Sequence, residues 1–163
     1  MRFKEAKIFK DGTDSLVSVD YNPKVTAYFD LIEAQRKRGL SQFIVTSDIM
    51  TKLISMLVIE RQFILISIDF MNDDEDLNNE IQTLVDKIGQ NGFLFSELLN
   101  KLHFLSNEQC IDILRVTLKK RSEGKSTQIK VQANGIFFIN CDSFEEESKR
   151  LIELIEKEQY MGN

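Results

Sequence analysis

The chain lacks tryptophan altogether and carries one histidine, one proline, two cysteines and seven glycines in 163 residues. Each scarcity removes a class of chemistry. The single histidine, His103, has no Cys or His partner at ligand spacing, so no zinc site is expected. Cys110 lies near it in sequence but on a different expected element, too thin a basis for a Cys–His nucleophile. Cys110 and Cys141 read as small core residues or inert thiols. The sparse glycines form no Walker A, GxGxxG or GxSxG pattern, so no phosphate-cradling loop is expected. No apolar run approaches the roughly 20 residues of a membrane span. The segment from Met1 to Glu5 has none of the apolar core of a signal peptide. We therefore expect a cytoplasmic protein with no cofactor, no metal, no small-molecule ligand and no membrane partner.

What is present is an ordinary globular balance, 42% hydrophobic and 29% charged, with a net charge of −5. A chain of this length buries about 70% of its unfolded surface and needs no staple. Against the acidic total stands one basic island. Between Ile111 and Gln132 lie Arg115, Lys119, Lys120, Arg121, Lys125 and Lys130, with only Asp112 and Glu123 as acids. A concentrated cation patch on an acidic chain is an electrostatic footprint that nucleic acid fits.

The pattern predicts a mixed α/β (or α+β) fold. Phe3 to Phe9 and Ser15 to Asp20 read as strands joined at Asp11-Gly12, a hairpin turn signal. Asn22 and Pro23 read as the cap and first residue of a helix that stops at Gly39, with Val25, Tyr28, Phe29 and Ile32 inward. After a short strand at Gln42–Thr46 comes a helix to about Glu60 that is apolar nearly all round. Such a helix is either central or covered by a partner. Ile49, Leu53, Met56 and Leu57 are its candidate self-association surface. Phe63 to Asp69 reads as a strand buried on both faces. It repeats the pattern of Val17 to Tyr21 (hydrophobic, Ser, hydrophobic, Asp, aromatic), a shared strand-and-cap grammar rather than a repeat family. The acids Asp73 to Asp76 open a helix ended by Gly89 and Gly92. They fail the EF-hand pattern for want of its glycine and final glutamate, and the helix dipole explains them.

From Phe93 onward the sequence predicts a helix, a turn, a second helix opened by a Ser106–Gln109 capping box, and a hairpin around Asn134-Gly135 with a type I′ turn. In outline this resembles a winged helix-turn-helix module. The resemblance implies a second helix in the major groove and a wing over the backbone. A final capping box at Ser143–Glu146 opens the last helix. We place an α/β portion at residues 1–72 and a winged-helix-like portion at 73–163, with one compact domain as the alternative.

Three functions follow as expectations. The first is a non-catalytic regulatory or adaptor protein acting through a protein partner or as a homodimer. The second is a winged-helix regulator of duplex DNA using the six basic residues. The third is a metal-dependent enzyme built on strand-end carboxylates, if Asp20, Asp48, Asp69 and Asp142 converge. Capping of the following element is the plainer role for each of those aspartates.

Overall fold

In the computed structural model, which describes residues 2–88 and 91–161, the Asp11-Gly12 turn folds β1 (Phe3–Lys10) back onto β2 (Leu16–Tyr21) in an antiparallel pair. The turn is held locally. Asp11 Oδ1 accepts the backbone N–H of Thr13 at 2.8 Å and of Ser15 at 3.1 Å, the short-range bonding that suits Asp to turns. Asn22 and Pro23 form a turn of their own, with Asn22 Oδ1 accepting from Lys24. Helix α1 starts later than expected, at Tyr28, and runs to Lys37. Gly39 beyond it has φ +85°, a left-handed stop that glycine adopts without penalty. The expected inward stripe is not the buried one. Val25 and Phe29 are 80% and 71% exposed, while Leu31 and Gln35 are buried. Val25 falls outside the helix, and Leu31 and Gln35, four residues apart, form its inward side.

The strand β3 (Ser41–Gln42) leads into α2 (Ser47–Ile59), capped by Thr46, whose side chain accepts from the Ile49 N–H. Here the all-round apolar pattern means a central helix. Leu53, Met56 and Leu57 are buried in the core and Ile49 packs against it. The expected self-association surface is therefore interior: α2 is flanked by the sheet on one side and by α4 and α5 on others. Burial of Leu53, Met56 and Leu57 stabilises the fold by about 1.5–3 kcal/mol each, while Ile49 is half-buried at the edge of the core.

Strand β4 (Ile64–Phe70) is followed by α3 (Glu75–Ile88), α4 (Gly92–Gln109), β5 (Ile113–Ser122), β6 (Lys125–Gln132), β7 (Ile136–Asn140), a 3₁₀ turn at Cys141–Ser143 and α5 (Phe144–Met161). Asp74 caps α3 through the Leu77 N–H at 3.1 Å, so the acidic loop does serve the helix start. The Gly89 stop expected there lies outside the described residues. The predicted helix–turn–helix is one long helix and a strand. α4 runs through Ser106 to Gln109 and ends at Cys110, in the left-handed conformation at φ 55°. The Ser106 hydroxyl bonds Asp112 rather than capping a new helix. Ile113, Val116 and Thr117 are β-branched, which favours a pleated strand, and the pairing available on both sides decides the matter. The winged-helix outline is therefore not formed.

All seven strands belong to one antiparallel sheet, in the order β2-β1-β7-β6-β5-β4, with β3 pairing β1 beyond the end of β7. Residues on both sides of position 72 build this sheet, and the first strand sits beside the last. β4 is an edge strand with bulges at Leu65/Ser67 and Asp69/Phe70. It is not buried on both faces: Ile64 is 61% exposed. The two similar segments, in β2 and β4, form the opposite edges of the sheet. The turn before β7 also differs from type I′, which needs positive φ at two residues. Only Gly135, at φ +86°, has it. The Gly135 N–H bonds the Gln132 carbonyl at 3.0 Å, the pattern of a longer turn ending in a glycine bulge.

Candidate functional site

Residues directly opposite one another in an antiparallel pair share a face, so the strand register sorts every side chain. Val116 pairs with Val131, Leu118 with Ile129, Ile129 with Ile139 and Ala6 with Phe137. All are buried, beneath α2, α3 and α5. The other face carries Arg115 opposite Gln132, Thr117 opposite Lys130, Lys119 opposite Gln128, and Phe138 between Lys130 and Glu5. One corner of that second face is closed. Tyr28 of α1 meets Tyr21 edge-on at 6.2 Å between ring centres and lies 5.5 Å from Lys7 Nζ. Among the described residues, no helix lies over this face from β7 to β4.

The six basic residues are thus split. Arg115, Lys119, Arg121 and Lys130 project onto the open face. Lys120 faces the helix layer, opposite Thr127 and 5.7 Å from the Phe63 ring. Lys125, two residues before Thr127, lies on the same side, at the hairpin tip. On the open face Arg115 donates to Asp69 at 3.0 Å. Among the described residues Lys119, Arg121 and Lys130 form no ion pair within 4.0 Å. Lys130 Nζ lies 5.1 Å from the centre of the Phe3 ring. Phe3 and Phe138 are both half-buried. Glu5, opposite Phe138, has its carboxyl raised above the usual carboxylate range by burial. Beside Phe3 and Glu5, the chain from Asp20 to Thr26 walls a shallow depression of about 700 Å³.

Sequence reasoning did not single out Phe3, Phe138 or Lys7. No alternation signal was available for them: β1 reads Phe-Lys-Glu-Ala-Lys-Ile-Phe-Lys, with Phe3, Glu5 and Lys7 on one face, and Phe137-Phe138 does not alternate either. Lys7 has no exposed surface. Its ammonium donates to the Asn134 carbonyl and lies 5.6 Å from the Phe9 ring. Burial with no carboxylate partner lowers its pKa to about 8. It fastens the α1 corner to the turn before β7.

The strand-end aspartates do not converge. Asp20 and Asp69 stand on opposite edges of the sheet, Asp48 in the first turn of α2, and Asp142 in the 3₁₀ turn. Three are held by cations instead: Asp20 by Lys4 at 3.1 Å, Asp48 by Lys52 at 3.2 Å and Asp69 by Arg115. No cluster of three or more His, Cys, Asp or Glu side chains suited to a metal exists among the described residues. The convergence on which the alternative of a carboxylate metal site depended is therefore not found. Antiparallel order sends neighbouring strand ends in opposite directions, so the shared ligand rim of a parallel sheet never forms. Cys110 and Cys141 are exposed rather than core residues. Ser47 and Asp112 form a structural link: Ser47 Oγ donates to Asp112 at 2.8 Å and accepts from the Ile113 N–H at 2.9 Å, tying α2 to β5.

No described helix is long and apolar enough to cross a membrane. Comparison with protein-family models, with curated proteins and with solved structures finds no match.

Proposed function

We propose that the protein is a small, non-catalytic regulatory or adaptor protein that works by binding, with the uncovered face of β4–β7 as its contact surface and an anionic partner. One observation carries this reading. Lys119, Arg121 and Lys130 stand together on the uncovered face, without ion-pair partners among the described residues, in a chain whose net charge is −5. A local field of one sign on an oppositely charged protein steers a complementary partner to one place. The antiparallel sheet itself needs no second layer, since one solvated face is normal for it. What marks this face is its charge, not its exposure. A protein partner fits the surface where it presents acidic side chains. A recognition helix for the duplex major groove is absent from the basic segment, which is strand.

The test is retention on a heparin matrix at low salt. The wild type is retained despite its overall charge and elutes as salt rises, because exposed charges are screened. A Lys119→Glu, Arg121→Glu, Lys130→Glu variant with an unchanged melting temperature flows through. A wild type that is not retained at low salt overturns the reading.

A further inference from the structure

We propose that the open face binds single-stranded nucleic acid, with Phe138 and Phe3 as stacking platforms for bases and Lys119, Arg121 and Lys130 as the phosphate contacts. This rests on the reading of the face as an anion-binding surface and names its occupant.

Cations alone would suit any polyanion, including an acidic protein segment. The rings are the additional observation. Phe138 lies between Lys130 on one neighbouring strand and Glu5 on the other. Phe3 is the diagonal neighbour of Phe138, since it pairs with Asn140 two residues along β7. Diagonal neighbours in an antiparallel pair stand roughly 7–8 Å apart, which leaves one base for each ring. An acidic peptide gains little from two half-exposed phenyl rings. An unstacked base gains a sequence-tolerant stacking surface, and phosphates gain cations on the adjoining strands. Lys130 now rests over the half-buried Phe3 ring. A base on Phe3 takes that place, and the flexible ammonium moves to the following phosphate. Glu5 and Phe3 both border the depression beside Asn22–Thr26, where the Glu5 carboxyl is placed to accept from a base amino group.

A duplex fits this surface poorly. The major groove is about 12 Å wide and admits a helix or a two-stranded ribbon. The strands β4 to β7 lie side by side and span about 14 Å between their outer axes before side chains are added. The bases of a duplex are also stacked on each other and present no free face to Phe138. Single strands offer those faces, as sheet-borne aromatic platforms require.

The experiment is fluorescence anisotropy with short, labelled, mixed-sequence single-stranded RNA and DNA, beside the matched duplex, at two salt concentrations. The wild type binds the single strands, weakens as salt rises, and prefers them to the duplex by about tenfold or more. Phe138→Leu and Phe3→Leu retain apolar packing but lose the flat ring, and each weakens binding by about tenfold. Lys119→Gln with Lys130→Gln weakens binding and flattens the salt dependence. Thermal melts confirm that each variant is folded. If heparin retains the wild type and no single strand binds, the nucleic-acid proposal falls and the anion-binding surface stands, pointing to an acidic protein segment. If neither binds, both fall. Leucine variants that bind as tightly as wild type overturn the stacking role, and equal affinity for duplex overturns the single-strand preference.

Discussion

Along β5 the two faces of the sheet alternate residue by residue and do different work. Val116 and Leu118 have no exposed surface and pack under the helices with Val131 and Ile129. Lys119, one residue on, is exposed on the face that no helix covers. Stability is concentrated on one side because apolar area removed from water is the dominant favourable term in folding. The other side is released from that duty and can carry charge, rings and amides in contact with solvent. The lesson is that the basic island is not one surface. Its residues share a hairpin but not a face, and only those sharing a face can share a partner.

The sharpest way to break this comparison is to truncate neighbours on opposite faces. Leu118→Ala is expected to cost about 3 kcal/mol, as transfer and cavity losses add in a packed core, read from urea denaturation. Next comes the turn that joins β6 to β7. Gly135 has φ +86°, and a Cβ there would meet the Phe43 carbonyl oxygen at 2.5 Å. Gly135→Ala combines a left-handed alanine with a backbone clash and should cost about 2 kcal/mol, measured the same way. A smaller effect tests the closed corner of the open face. Lys7 titrates near 8 in the fold against 10.5 in the unfolded chain. The unfolded state binds more protons between those values, so this residue adds stability as pH rises through that window and takes it away as pH falls. Relative to Lys7→Met, the wild type should gain roughly 1–2 kcal/mol from pH 8 to pH 10.5. Parallel stability curves for the two proteins would show that Lys7 is not held as a buried, unpaired ammonium. The smallest effect is the counterpart of the first. Lys119→Ala should change stability by no more than about 0.5 kcal/mol, as surface substitutions do, while lowering the salt needed to elute the protein from heparin.

Local elements were legible where local chemistry sets them. The Asp11-Gly12 hairpin and the Gly39 stop rest on bonds within a few residues. The helix after Ser143 was legible too, but the Ser143 hydroxyl bonds Thr127 and Asn140 instead of forming the expected capping box with Glu146. The segment after Cys110 was not legible, because Ile111, Leu114 and Leu118 keep helical spacing while Ile113, Val116 and Thr117 suit a strand. Both readings satisfy the local pattern. β5 takes the strand because β4 and β6 offer hydrogen-bonding edges on both sides, and those edges come from residues far away in the chain. β4 misled for a related reason: its run of isoleucines looks doubly buried, yet one face has no layer packed on it and Ile64 and Ile66 remain exposed.

The candidate site divides similarly. Charge is a property of composition, so the basic residues could be named from the sequence. Their separation into two faces follows from register. The meeting of Phe3 with Phe138 and Lys130 follows from the pairing of the first strand with the last. By itself, then, the sequence determined the Asp11-Gly12 turn, the Gly39 stop, the central apolar helix and which residues carry the positive charge, because short-range bonds, periodicity and composition suffice for these. The strand order, the face each cation occupies, and the scattering of the aspartates were decided only by the tertiary structure. Non-local pairing, which no local pattern encodes, chooses which residues become neighbours.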